Sequence, residues 1–291
     1  MSDDALVHSL EAPISEKPRS VVSLVPSITE SLFDLNVGHH LVGRTEYCIY
    51  PEGKVDSIPT LGGTKNPDIQ RIIALNPDLV FMNVEENRKE DAEALREAGI
   101  AVWASMPTKV AEVFTLLWNI MELFEETDAV VRVRIIEQVY DHLMAMLMDA
   151  ELPSVFVPIW YDPLMTINGE TYMHDLLNVC GANNVFAERE RQFPLSADLG
   201  DTEADETRAV GRDTRYPRIS LAEVEAAQPD VILLPSEPFA FTADHIPIFQ
   251  ALDVPAAKHD RIHLVDGSWL TWHGTRLAYA LNGLPKLLQV T

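Results

Sequence analysis

The sequence predicts an α/β protein of two lobes, each on a mostly parallel sheet, joined by one long helix. Three observations predict it. Short apolar, β-branched runs alternate with helix-periodic runs in both halves, the pattern of βα units. Residues 108–150 break that alternation and contain neither Gly nor Pro. Residues 66–82, NPDIQRIIALNPDLVFM, match 218–234, RISLAEVEAAQPDVILL, with Pro77-Asp78 aligned on Pro229-Asp230. Each copy reads as a helix, a Pro-Asp turn and an apolar strand. The spacing is too long for a solenoid repeat, so the echo points to two related lobes. The plainer reading is two ordinary αβ units that share a common turn.

The elements follow in order. Residues 1–18 are acidic and without periodicity, and are expected to be a flexible arm before an N-terminal lobe at 19–126. RSVVSLV (19–25) is a buried strand. Ser27 and Glu30 have capping-box spacing, so a helix runs through TESLFDLN and stops near Gly38. HLVGRT is the second strand. NPDIQRIIAL is a helix, PDLVFMN a strand, EENRKEDAEALREAG an amphipathic helix and IAVWASM a strand. Two helices fit 109–125 and 128–149, the second opening at Thr127-Asp128. That second helix forms the connecting segment at 127–150, on the order of 30 Å long. The C-terminal lobe spans 151–291. SVFVPIW is its first strand, and GETYMHDLLNVCGAN a helix capped near Thr171 and closed at Gly181. The polar, acidic run at 198–214 reads as a surface insertion. ISLAEVEAAQ is a helix, PDVILLP a strand, HIPIFQAL a short helix and RIHLVDG the last strand. WHGTRLAYALNGLPKLL closes the chain as a helix whose end Gly283 and Pro285 should weaken.

Composition narrows the function. The chain has 291 residues, 47% hydrophobic and 23% charged, an ordinary globular balance. Its 45 acids and 22 bases give a net charge of −23, a field that repels nucleic acid and anionic membranes. No apolar run approaches the ~18 residues of a membrane span. The N-terminus lacks a basic region followed by an apolar core, so the expected location is the cytoplasm as written, and the periplasm or cell surface if a leader was removed. Cys48 and Cys180 stand far apart and form no CxxC or Cys-His cluster. They read as buried free thiols.

Motif chemistry is sparse. The chain has no phosphate-cradling loop with lysine, no dinucleotide glycine fingerprint, no HExxH and no nucleophile elbow. His39 and His40 are adjacent, and His174, His245, His263 and His273 are scattered, so no metal site is expected. The aromatics say more. Tyr47 and Tyr50, Trp160 and Tyr161, Phe239 and Phe241, and Trp269 and Trp272 all fall just past the C-terminal end of an expected strand. Open α/β sheets bind ligands beyond those ends. Aromatic faces there offer flat apolar area to a large ligand, with Tyr and Trp polar atoms to orient it. Polar candidates beside them are Arg44, Glu46 and His273, with backbone N–H groups near Ser27 and Thr171. Capping alone is the plainer role for Ser27.

VVSLVPSITESLFDLNVGHHLVGRTEYCIYP, NPDIQRIIALNPDLV, TYMHDLLNVCGANNVF and ISLAEVEAAQPDVILL resemble the substrate-binding proteins of cobalamin and iron-siderophore ABC importers. The resemblance runs in order over about residues 19–290. It is to the helical-backbone, TroA-like group, with the cobalamin-binding branch nearest. It implies two Rossmann-like lobes joined by a single backbone helix, a ligand in the cleft between them, and no catalysis. Tyr50 matches a family tyrosine that clamps the corrin, and Trp269 a second-lobe tryptophan. Thr64 and Asn83 stand where two other family tryptophans would be. The family's permease-docking glutamates, one per lobe, correspond here to Gln70 and Ala222, with Asp68 and Glu223 as neighbouring acids.

The resemblance therefore implies a monomeric receptor for a small-molecule metal chelate. A cobalt corrinoid is the leading ligand, bound as cargo and not as an intrinsic cofactor, with haem or a ferric siderophore next. An ABC permease partner and a stand-alone binder both stay open. The ligand set is expected to be Tyr50, Trp160, Tyr161, Phe239, Phe241, Trp269, Trp272, Arg44 and His273. From another class, a tetrapyrrole chelatase would need His174 or His273 paired with Glu46.

Overall fold

The computed structural model describes residues 8–148, 150–191, 197 and 213–289. Two parallel four-stranded sheets organise it. The first contains β1 (Val21–Ser23), β2 (Leu41–Arg44), β3 (Leu79–Asn83) and β4 (Ala101–Ser105) in the order β2-β1-β3-β4. The second contains β5 (Ser154–Phe156), β6 (Asn183–Asn184), β7 (Val231–Pro235) and β8 (Ile262–Val265) in the order β6-β5-β7-β8. The two orders are the same once the strands are renumbered, so the two echoed segments hold equivalent places in the two sheets. The two-residue β6 gave no apolar signal in the sequence. β5 is shorter than SVFVPIW suggests, because Pro158 has no N–H for a ladder.

Helices cover the sheets: α1 (Pro26–Asp34), α2 (Ile69–Leu75), α3 (Lys89–Glu97), α4 (Val110–Leu123), α5 (Val130–Leu147), α6 (Tyr172–Val179), α7 (Leu221–Ala227), α8 (Ile246–Gln250), α9 (Pro255–Lys258), α10 (Ser268–Thr271) and α11 (Leu277–Leu288). None of the described helices is long and apolar enough to cross a membrane.

The duplicated turn has a physical purpose. Asp78 accepts from the backbone N–H of Arg19 and Ser20 at 2.7 and 2.9 Å, fastening the start of β1. Those N–H groups favour the ionised carboxylate and hold Asp78 below its ordinary range. Asp230 does the same for β5, accepting from the N–H and hydroxyl of Ser154 at 2.9 and 2.8 Å. The preceding helix ends in a left-handed residue in both copies, Asn76 at φ 46° and Gln228 at φ 49°.

Three local expectations need correction. The arm is tied down from Ser9 onward. β4 is an edge strand with unpaired backbone groups, and Ser9 N–H donates to Ala104 O at 2.9 Å. Trp103 Nε1 and Asn119 Nδ2 donate to Ser9 O and Leu10 O, each at 3.0 Å. Ser27 and Glu30 form no capping box. α1 starts at Pro26 with Val25 as its cap residue, because Pro suits the first turn, where its missing N–H costs nothing. Thr127 and Asp128 do not cap α5 through their side chains. Glu126 Oε1 accepts from Asp128 N–H at 2.6 Å and Ala129 N–H at 3.2 Å. Thr171 does cap α6, accepting from His174 N–H at 3.2 Å. α11 runs on through Pro285 to Leu288. Of the acidic run at 198–214, only Asp213 and Thr214 are among the described residues.

The chain divides into two compact units. One comprises residues up to Gln138 together with Trp272–Leu277. The other comprises Val139–Thr271 and the residues from Ala278. The division falls inside α5, and the chain crosses between units twice more, at 271/272 and 277/278. An unbroken C-terminal lobe at 151–291 is thus not what forms. The first core is made of Val22, Leu24, Ile72, Val80, Met82 and Leu95 with their neighbours, and the second of Phe156, Val224, Ile232, Leu234, Phe241 and Phe249 with theirs.

Candidate functional site

In the first unit, the loop 45–58 leaves the C-terminal end of β2 and carries Tyr47 and Tyr50. Arg44 sits at its root, 9% exposed. Its Nε donates to Val55 O at 3.0 Å, and its Nη1 to Thr45 O and Cys48 O at 3.1 Å each. Arg44 is therefore the brace of this loop, and not the open cation expected from the sequence. Cys48 is wholly buried beneath it, near Thr29 and Thr45 hydroxyls, and burial pushes its thiol up.

The returning segment Trp272–Leu277 belongs to this unit and builds its aromatic face. Arg276 Nε and Nη2 donate to the two carboxylate oxygens of Glu30, each at 2.7 Å. Both side chains are less than a tenth exposed. The guanidinium lies over the Tyr50 ring at 4.2 Å and the Trp272 ring at 4.9 Å, and those rings meet edge-on at 5.9 Å. A cation against two ring faces is attracted by their quadrupoles. Thr275 completes the seam: its N–H donates to Ser31 Oγ at 3.0 Å and its hydroxyl to Asp34 at 2.8 Å. Gly274 is needed there, since its φ is 94° and a Cβ would lie 2.2 Å from Ser31 Oγ. Ser27 is 1% exposed, and its hydroxyl has no hydrogen-bond partner.

Asn83, at the end of β3, holds His273 of the same segment. Asn83 Oδ1 accepts from Glu85 and Glu86 N–H at 2.8 and 3.2 Å, which fixes the amide orientation. Its Nδ2 then donates to His273 Nε2 at 3.2 Å. The imidazole must accept there, so it is neutral with its proton on Nδ1. Burial lowers the His273 pKa to about 4. The unfolded chain, near 6.5, thus binds more protons between pH 6.5 and 4, and stability falls as pH drops through that window. The effect is about 3 kcal/mol. We predict that His273→Gln, compared with the parent by urea unfolding at pH 7 and pH 4, removes that much of the acid loss. Equal acid losses in both proteins would show that the imidazole is not held neutral.

In the second unit, an aromatic group lies past β5 and β7. Trp160 and Tyr161 are 43% and 37% exposed. Phe239 meets Trp160 edge-on at 5.6 Å and lies tilted against Tyr161 at 6.1 Å. His245 packs edge-on against Tyr161 at 5.2 Å and Phe239 at 5.3 Å. Thr242 N–H donates to His245 Nδ1 at 3.1 Å, so the neutral ring carries its proton on Nε2. Two members of the expected set are not on the exposed surface. Phe241 is 4% exposed and lies beneath this group, meeting Phe239 edge-on at 4.8 Å and packing toward Phe249 in the core. The Trp269 indole lies on Gly283 of α11, where a Cβ would sit 2.2 Å from it. Trp269 is half-buried packing between α10 and α11.

The other expected residues are placed as follows. Gln70 and Ala222 are the second residues of α2 and α7, exposed at matching positions of the duplication. Asp68 caps α2 through Arg71 N–H at 3.0 Å. Glu223 closes a capping box with Ser220 and pairs with Arg189 at 3.2 Å. Both acids are thus occupied in their own unit. His273 is buried on Asn83 while Glu46 is exposed, and His174 lies on α6 of the second unit, its Nε2 2.9 Å from Asn178 Nδ2. Among the described residues no three His, Cys, Asp or Glu come together to hold a metal ion. Sequence reading missed Glu30, Arg276, Asn83 and Thr275. The sequence offered little signal, since Glu30 stands between Thr29 and Ser31, and Arg276 follows His273, Gly274 and Thr275.

Known proteins share the two-sheet fold. A vitamin B12-binding protein of Vibrio parahaemolyticus is 24% identical over 262 residues, covering 88% of this chain and 84% of its own. An uncharacterised ABC transporter substrate-binding lipoprotein of Bacillus subtilis, YvrC, is 25% identical and covers 99% of this chain and 83% of its own. Among solved structures, the periplasmic vitamin B12 binding protein BtuF of Vibrio cholerae superposes with a TM-score of 0.72 at 20% identity, over 94% of this chain and 97% of its own. That likeness is one of fold. Residues 21–266, both sheets included, match the family described as periplasmic binding protein, and the chain belongs to that family of solute-binding proteins.

Proposed function

We propose that the protein is an ABC-type substrate-binding protein whose cargo is a cobalt corrinoid. The observation that carries this reading is the pair of aromatic faces, one per unit, past the C-terminal ends of the strands. Tyr50 with Trp272 forms one. Trp160, Tyr161 and Phe239 form the other. A corrin is a large, flat, largely apolar ligand, and such faces bury its area while Tyr hydroxyls orient its rim. The names of the relatives support the same class. Under this reading the chain works as a monomeric carrier without catalysis, and an ABC permease is its partner. Gln70 in the first unit and Ala222 in the second are the positions at which each unit would meet a permease.

Calorimetric titration with cyanocobalamin tests the reading. We expect a dissociation constant of about 1 μM or tighter, near −8 kcal/mol, and a rise in unfolding temperature with ligand. Neither heat nor a thermal shift would remove corrinoids as the cargo. Incubation with a metal-free tetrapyrrole and a divalent metal should give no more insertion than a protein-free control.

A further inference from the structure

Resting on that reading, we infer that the aromatic faces select chelates with an uncharged or cationic rim and discriminate against carboxylate-rimmed ones such as haem. Two independent observations carry this.

The first is where the cations point. An anionic chelate is held by guanidinium or ammonium groups turned toward it. Arg44 spends its Nε and Nη1 on three backbone carbonyls inside the 45–58 loop. Arg276 spends its fork on Glu30 and its face on Tyr50 and Trp272. Lys65 donates to Glu85 O. Arg44, Arg276 and Lys65 thus serve the protein itself.

The second is the charge of the loops that carry the aromatics. The loop 45–58 exposes Glu46, Glu52 and Asp56 against one base, Lys54. Residues 157–165, which bear Trp160 and Tyr161, contain Asp162 and no Lys or Arg. Residues 236–245, which bear Phe239, contain Glu237 and Asp244 and no Lys or Arg. Asp162 and Asp244 are exposed. Like charge near a ligand carboxylate costs affinity, and salt screens that cost. The amide rim of a corrin carries no such penalty.

Three ligands and one variant test this: cyanocobalamin, hemin, and the bis-amide of hemin, which keeps the macrocycle and removes both carboxylates. We expect hemin to bind at least tenfold more weakly than its bis-amide at 50 mM salt, with the gap narrowing several-fold at 500 mM. Asp162→Lys combined with Asp244→Lys should shrink the gap at least threefold at low salt. Hemin binding as tightly as its bis-amide, or a gap that neither salt nor the lysines move, would overturn the inference while leaving a chelate receptor in place. Failure of cyanocobalamin and the bis-amide alike would instead remove the reading on which it rests.

Discussion

Replacing Arg276 with methionine leaves Glu30 as an uncompensated carboxylate in a site less than a tenth exposed, and costs the first unit about 3–5 kcal/mol. The pair is bidentate at 2.7 Å on both arms, so both oxygens of Glu30 are engaged by the guanidinium. The loss spreads beyond the pair. The guanidinium also supports the rings of Tyr50 and Trp272, so the variant loosens the aromatic face as well as the fold. Urea unfolding followed by hydrogen exchange on residues 272–277 and 45–50 should show both effects. Adding Glu30→Gln to Arg276→Met removes the stranded charge and should restore more than half of the lost stability, since a neutral pair needs no counter-ion. A single variant within 1 kcal/mol of the parent would mean that the pair is hydrated and does not anchor the segment.

That anchor explains where sequence reading succeeded and where it stopped. Local rules identified β1, β3, β4 and β7, because each is a short apolar run bounded by turn residues. They identified the duplication, because Asp78 and Asp230 sit at equal offsets from the strands that follow them. They failed where a residue's partner is distant in the chain. Ser27 and Glu30 have the spacing of a capping box, yet Glu30 is claimed by Arg276, 246 positions away. The helix starts at Pro26, which puts Ser27 inside it and frees Glu30 for that distant partner. Trp272 and Trp269 stand three residues apart and look equivalent in sequence. One belongs to the first unit, against Tyr50, and the other to the second, against Gly283. No periodicity carries that division, because it is made by the return of Trp272–Leu277 onto α1. Asn83 shows the same limit. Its place at the end of β3 was legible, but its function as the acceptor of two turn N–H groups and the donor to His273 was not.

Trp160→Ala is expected to weaken cyanocobalamin binding about 10- to 100-fold while leaving stability nearly unchanged. An exposed tryptophan that centres a contact surface typically contributes about 2 kcal/mol or more to binding. Trp160 is 43% exposed, and its Nε1 already donates to Asp162 O at 3.1 Å, so its free surface is the ring face. The face is held in place by the edge of Phe239 rather than by the core, so truncation opens no cavity. Phe241→Ala should do the reverse. Its ring is 4% exposed and packs toward Phe249, and removing it leaves a void that costs about 3–5 kcal/mol of stability. Binding measured below the lowered unfolding temperature should then change less than threefold. The two residues lie in the same aromatic group, so the contrast separates a contact surface from the core beneath it. If Trp160→Ala binds cyanocobalamin as the parent does, the surface of Trp160, Tyr161 and Phe239 is not where the ligand rests.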